Sequence, residues 1–240
     1  MECKNSNKND LIMGFYRGPN LVTNGLVLSL DAGNTKSYPG SGTTWLDKSG
    51  YANNGTLTNG PTFSSANGGS IVFDQVDDFV TAPNNSSINL TEAGGAVSVW
   101  VKTGVNATGS LNGNLVGKTN TYSNGYWLVK YNNKVRMSLY GTSNLEMIGE
   151  KPITDDIWHH VVATWTSSQL TIYIDGALDK TQSYNFTFTT ATNPLYIGRQ
   201  NNTGEGYFKG NISQVQIYNR ALSATEILQN YNATKSRFNL

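Results

Sequence analysis

Apolar and polar residues alternate along much of the chain with a period of two. Val97, Val99 and Val101 share one side of a segment whose other side carries Ser98, Trp100 and Lys102. This predicts a strand over 96–103 with one apolar face. Leu170, Ile172 and Ile174 repeat the pattern, and Asp175-Gly176 after them supplies a turn that tolerates positive φ. The segment 158–166 reads as the hairpin partner of 169–174. Shorter runs at 26–31, 56–57, 70–74, 77–81, 114–118, 126–131, 134–140, 195–198 and 211–218 bring the total to roughly a dozen strands. Pro39-Gly40, Ser49-Gly50, Asn54-Gly55, Asn59-Gly60-Pro61 and Tyr131-Asn132-Asn133-Lys134 mark turns between them. One segment breaks the period. Ser223-Ala224-Thr225-Glu226 is a capping box, and Ile227, Leu228 and Tyr231 after it form one apolar face. That predicts a helix of about two turns, too short to stand unless it packs on a sheet.

The predicted fold is all-β: a two-sheet antiparallel β-sandwich over 22–240 with one short C-terminal helix. Val97, Val99, Val101, Leu170, Ile172 and Ile174 are expected to face inward, because a one-residue slip would expose the whole apolar set. Composition agrees. The chain of 240 residues has 25 Gly, 13 Tyr and 5 Trp, which suits turns and half-buried pleated surfaces. Charged residues make up only 14% and the net charge is +1, which argues against phosphate binding through clustered Lys and Arg, and no nucleic acid partner is expected. The single cysteine, Cys3, rules out an internal disulfide or a Cys-based zinc site. No apolar run approaches the roughly 20 residues of a membrane span, so no membrane insertion is expected. The polar start of the chain lacks the apolar stretch of a secretory signal.

Residues 1–21 differ from the rest. A polar, aperiodic lead is followed by Leu11, Ile12, Met13, Phe15, Tyr16 and Arg17. Left in water, this cluster would be a sticky patch. The expectation is an N-terminal arm that docks these six residues on another protein chain, with Gly14 and Gly18 giving it freedom to conform. A terminal strand folded back on its own domain, or a floppy end, is the alternative.

Several segments in one order carry a family resemblance. They are Ser70-Ile71-Val72-Phe73-Asp74, Val76-Asp77-Asp78-Phe79-Val80, Trp158 to Trp165, Leu170 to Gly176, Leu195 to Gly198, Phe208 to Ile212 and Ile217 to Ser223. Together they resemble the laminin G-like, concanavalin A-like lectin and glucanase superfamily, a jelly-roll sandwich. The stretch Gly25 to Trp45, with Gly14-Phe15-Tyr16-Arg17-Gly18-Pro19, resembles lectin-like modules in virion structural proteins of tailed bacteriophages. The resemblance implies a non-enzymatic virion protein, a surface-exposed decoration or fibre-associated subunit anchored by its arm. It would sit among other capsid or tail proteins as a homo-oligomer or multi-copy assembly, at the virion surface after assembly in the host cytoplasm. The alternative is a receptor- or glycan-binding tail fibre module with a cell-surface glycan as partner.

Glycoside hydrolases of the superfamily need two carboxylates flanking the scissile bond. Every Glu here is isolated, and the neighbours Asp77 and Asp78 would face opposite ways on a strand, as would Asp155 and Asp156. No catalytic residues are expected. His159 and His160 are also neighbours on a strand and cannot easily chelate one ion. Trp100, Trp127 and Trp165 read as packing, whereas Tyr122, Tyr126, Tyr140 and Tyr207, near loops, are the candidates for stacking on a ligand. Many laminin G-like modules hold one calcium through hard oxygens. Asp31, Asp47, Asp74, Asp77 and Asp78 lie near turns and are the candidate ligands of a structural calcium.

Overall fold

The computed structural model describes residues 19–104, 112–120, 123–188, 191–200 and 206–240. Within them the strands are β1 (Leu26–Asp31), β2 (Thr44–Trp45), β3 (Gly55–Thr58), β4 (Thr62–Ser64), β5 (Ser70–Asp74), β6 (Phe79–Ala82), β7 (Gly94–Lys102) and β8 (Asn112–Thr119). They continue with β9 (Gly125–Tyr131), β10 (Lys134–Tyr140), β11 (Asn144–Ile148), β12 (Trp158–Thr166), β13 (Gln169–Ile174), β14 (Ala177–Ser183), β15 (Leu195–Ile197) and β16 (Lys209–Tyr218). The first sheet runs β14-β13-β12-β7-β16-β5-β4, with β1 beside the second half of β16. The second runs β11-β10-β9-β8-β15-β6-β3-β2. Neighbouring strands are antiparallel throughout.

The two sheets meet on the faces that alternation predicts. Val97, Val99, Val101, Leu170, Ile172 and Ile174 are all buried in one core with Trp165, Val215 and Ile217. The second sheet contributes Val116, Tyr126, Leu128, Met137 and Leu139. Burying each such aliphatic side chain stabilises the fold by about 1.5–3 kcal/mol before entropy is counted. At the β13–β14 turn Asp175 and Gly176 adopt φ of 55° and 77°, the doubly positive pair of a tight hairpin.

The outward face of the first sheet is covered by α1 (Ala224–Thr234) and a 3-10 turn (Lys235–Phe238). The capping box is present as expected, with Ser223 and Glu226 each accepting from the other's backbone. The helix is longer than two turns, however, and the predicted apolar face holds only in part: Ile227 is buried and Tyr231 packs on Trp100, but Leu228 turns to solvent. Leu228 is 46% exposed, while Ile227, Asn230 and Thr234 face the sheet. Asn230 accepts from Val22 N at 2.8 Å and donates to the Tyr218 hydroxyl at 3.0 Å. Thr234 Oγ1 accepts from Trp100 Nε1 at 2.8 Å. Polar residues that bond to the sheet continue the helix past the point where its apolar period stops.

Candidate functional site

The antiparallel register brings several strand ends to one rim of the sandwich. Lys209 opens β16 opposite Asp74, which closes β5. Lys102 closes β7 opposite both Asn211 and Trp158. Ile197 closes β15 beside Val80, and a Cβ on Gly198 would lie 2.4 Å from the Phe73 ring and 3.4 Å from Asp78 O. Two features share this rim: a polar cleft and an acidic turn.

The cleft has a volume of about 340 Å³ and is lined by Lys102, Thr103, Gly104, Asp156, Lys209, Gly210 and Asn211. Thr103 Oγ1 donates to Lys209 O at 2.8 Å and fixes the floor. Gly210, at φ 139°, is needed here, since a Cβ would meet Lys102 O at 2.4 Å. Lys102 Nζ lies 3.7 Å from Asp156 Oδ1, a largely exposed pair, which attracts only weakly in water. Lys209 makes no ion pair among the described residues. The cleft therefore carries two ammonium groups against one solvated carboxylate, with amide and hydroxyl groups between them. None of these residues forms a sequence motif. Glycine inside the β16 pattern is the one local sign of a close backbone approach.

In the acidic turn, oxygens of Asp74, Asp77 and Asp78 lie within 4.8 Å of one another. Asp78 is buried and accepts from Asp74 N at 3.2 Å. Burial, then the charges of Asp74 and Asp77, push its carboxyl up to about 6. A cluster of hard oxygens held in mutual repulsion fits a divalent cation such as calcium. Asp31 and Asp47 are not part of this group. Asp31 receives Arg237, Gln214 Nε2 at 2.9 Å and Gly33 N at 2.9 Å. Asp47 receives the N–H groups of Ser29, Ser49 and Asn53 at 2.8 to 2.9 Å, and the Ser49 hydroxyl at 2.7 Å. Their oxygens are spent on holding loops.

The aromatic candidates fare differently. Tyr126 lies inside the core with its hydroxyl donating to Ile88 O at 3.1 Å, so it cannot stack on a ligand. Inward alternation from Leu128 puts it there. Tyr140 faces outward on the second sheet but is buried beside Trp127, donating to Glu146 Oε1 at 2.8 Å. Tyr207 is half-buried next to the start of β16. Tyr122 lies outside the described residues, as do Leu11, Ile12, Met13, Phe15, Tyr16 and Arg17. His159 and His160 point to opposite faces. His160 Nε2 sits 2.9 Å from Ser98 Oγ with its ring stacked on Trp100, and burial lowers it to about 4. His159 lies between Asp155 and Asp175 near the cleft.

Residues 74–228 match the family described as the concanavalin A-like lectin/glucanases superfamily. The chain belongs to that superfamily. Among solved structures it is similar to the binding domain of Paraclostridial Mosquitocidal Protein 1, at 18% identity and a TM-score of 0.72 over 87% of this chain and 52% of that one. The botulinum neurotoxin serotype G binding domain is 18% identical with a TM-score of 0.70, over 86% of this chain and 50% of that one. The botulinum neurotoxin serotype D ligand-binding domain, solved in complex with N-acetylneuraminic acid, is 16% identical with a TM-score of 0.70, over 88% and 51%. At these identities the likeness is one of fold, and the chain spans about half the length of each. No curated protein sequence matches it.

Proposed function

We propose that this chain is a non-enzymatic recognition module that binds a saccharide in the rim cleft. The observation that carries the reading is the pairing of Lys102 and Lys209 across a cleft of about 340 Å³ with Asn211, Thr103 and Asp156 around them. Such a lining offers charged and neutral donors to hydroxyls and, above all, to a carboxylate. The favoured ligand class is a carboxylate-bearing sugar, and a similarly folded toxin domain has been solved with one. The placement of the acidic turn supports a reading without hydrolysis. The acidic trio rises from one turn instead of flanking a bond from two sides. A structural calcium held by Asp74, Asp77 and Asp78 would supply charge neutralisation to that turn and nothing to chemistry.

A glycan array carrying neutral and carboxylated sugars tests this reading. Binding is expected to concentrate on the carboxylated set, and Lys102→Ala or Lys209→Ala to weaken it about tenfold each. Sugar binding untouched by both changes, or release of reducing ends that a Glu or Asp substitution abolishes, overturns it.

The second reading places the module on a tailed phage particle as a decoration or fibre-associated subunit, with other virion proteins as partners. It is supported by the resemblance of Gly14 to Pro19 and Gly25 to Trp45 to phage lectin-like modules. Residues 1–21 would be the anchor, through Leu11, Ile12, Met13, Phe15, Tyr16 and Arg17. Deleting 1–20 and offering the protein to undecorated particles tests it; unchanged decoration removes the anchoring role.

A further inference from the structure

We propose that His159 is held as an imidazolium at neutral pH and is the pin that positions the Asp155–Asp156 wall of the cleft. His159 Nδ1 lies 2.9 Å from Asp175 Oδ2, and Nε2 lies 3.0 and 3.2 Å from the two oxygens of Asp155. A neutral imidazole has one N–H and one lone pair, while a carboxylate only accepts. One nitrogen would then aim its lone pair at a carboxylate oxygen. Only the imidazolium satisfies both contacts, and at 1% exposure His159 has little access to water as a substitute partner.

The surroundings of the ring agree. Asp155 and Lys151 face it from the segment before β12, and Asp175 from the β13–β14 turn. Lys151 Nζ bonds Asp175 Oδ2 at 2.6 Å, and His160 N donates to Asp175 Oδ1 at 3.0 Å. From β7 the opposing residue is Val101, which brings no charge. Tyr231 of α1 feels Asp175 from the other side of the sheet, and the His160 ring faces that same side. With His159 charged, two cations balance two carboxylates. Burial opposes that charge, but Asp175 and Asp155 outweigh it and hold His159 above its ordinary 6.5. The stabilisation is complete below about pH 6.5 and is lost as pH rises through the native value. It withstands mild acid, because the Asp175 carboxyl, despite burial, is brought down to about 2 by His159, Lys151 and His160 N.

The consequence reaches the cleft through one peptide bond. Asp155 is gripped by the imidazolium, and Asp156 takes a left-handed φ of 61°, which a non-glycine residue keeps only when its neighbours fix it. From that conformation Asp156 N donates to Thr103 O at 3.2 Å and its carboxylate reaches Lys102. His159 is thus a positioning residue for the acidic wall, and the pin stands on this chain's own side chains whether or not the cleft takes a sugar.

The test is nitrogen NMR of the His159 ring in the full chain, with amide exchange at Asp156, from pH 6 to 9.5. Both ring nitrogens are expected to be protonated at pH 7, with a single titration above 6.5. Asp156 exchange, corrected for its intrinsic pH dependence, is expected to speed up about tenfold or more as His159 loses its proton. Asp155→Asn, a change at a half-exposed side chain, gives Nε2 a possible donor and is expected to move the titration down. A singly protonated ring at pH 7, a titration that Asp155→Asn leaves in place, or equal Asp156 protection on both sides of the titration would each overturn the proposal.

Discussion

Arg237 closes on Asp31: its Nη1 lies 2.9 and 3.0 Å from the two carboxylate oxygens and joins the end of β1 to the 3-10 turn after α1. Nη2 reaches Ser213 Oγ at 3.2 Å. Gly33 sits directly beneath, where a Cβ would fall 1.8 Å from Nη2. The contact explains why an aspartate near a turn, a reasonable metal ligand by sequence, is committed to tertiary structure.

Removing this link has a measurable effect. Arg237→Ala is expected to destabilise the chain by about 1–3 kcal/mol, because Asp31 keeps its burial and loses a charged partner. At this size that corresponds to a fall of roughly 2–12 °C in Tm. Gly33→Ala should cost at least as much, because its Cβ would displace the guanidinium and also meet the backbone oxygen of Gly68 at 2.1 Å. Thermal unfolding of both variants decides it; a Tm within a degree of the parent in each means that the link adds nothing.

The docking of α1 rests on Trp100. Its ring stacks on Phe238 at 4.2 Å, His160 at 5.1 Å and Tyr231 at 5.8 Å, and its Nε1 donates to Thr234. Trp100→Ala is expected to cost about 3–5 kcal/mol, and Trp100→Phe about 1 kcal/mol more than the parent for the lost hydrogen bond. Urea unfolding followed by far-UV circular dichroism reads both. If the alanine variant unfolds like the phenylalanine variant, stacking is not what holds the helix.

Legibility followed exposure. β7, β12 and β13 could be read directly, because each has one face in the core and alternation records it. β14, with sequence Ala-Leu-Asp-Lys-Thr-Gln-Ser, could not. It is an edge strand with no fully buried residue, and charged or polar edges blunt unwanted pairing at the expense of pattern. The rim cleft was equally hidden. Lys102, Asp156 and Lys209 come from three distant segments, and only the register between β7, β12 and β16 assembles them. Of the acidic residues the sequence could name the kind but not the partners: Asp74, Asp77 and Asp78 converge, whereas Asp31 and Asp47 are absorbed by the fold.

The start of α1 should weaken in acid. Arg220 Nη2 bonds Glu226 Oε1 at 2.5 Å and Nη1 bonds Oε2 at 3.1 Å, and Ser223 completes the cap. Arg220 foremost holds the Glu226 carboxyl down at about 2 despite partial burial. A lowered carboxylate contributes stability that is present above about pH 4.5, its ordinary value, and is lost as pH falls toward 2. Glu226→Gln should therefore flatten the acid limb of the stability profile, and Ser223→Ala should cost about 1 kcal/mol at neutral pH. An unchanged acid limb in Glu226→Gln removes this pair as its source.

Asp78 works in the opposite sense, and that makes the calcium proposal testable. Its carboxyl is raised to about 6, by burial first and then by Asp74 and Asp77. A raised carboxyl favours the fold below its ordinary value and withdraws that contribution as pH climbs through 6, so at pH 7 the turn carries uncompensated negative charge. Without a cation, Asp78→Asn should accordingly raise Tm at pH 7 and have less effect at pH 4. With millimolar calcium the order should change. A cation that binds only the folded turn stabilises the parent by mass action, about 2.7 kcal/mol at one hundred times Kd. Asp78→Asn loses both a ligand oxygen's charge and that gain, while Asp31→Asn and Asp47→Asn should keep the calcium response even though they weaken the fold. Calcium that shifts the Tm of Asp78→Asn as much as that of the parent would place the ion, if any, away from this turn. A parent Tm unmoved by calcium would leave the acidic turn as strain relieved only by protons.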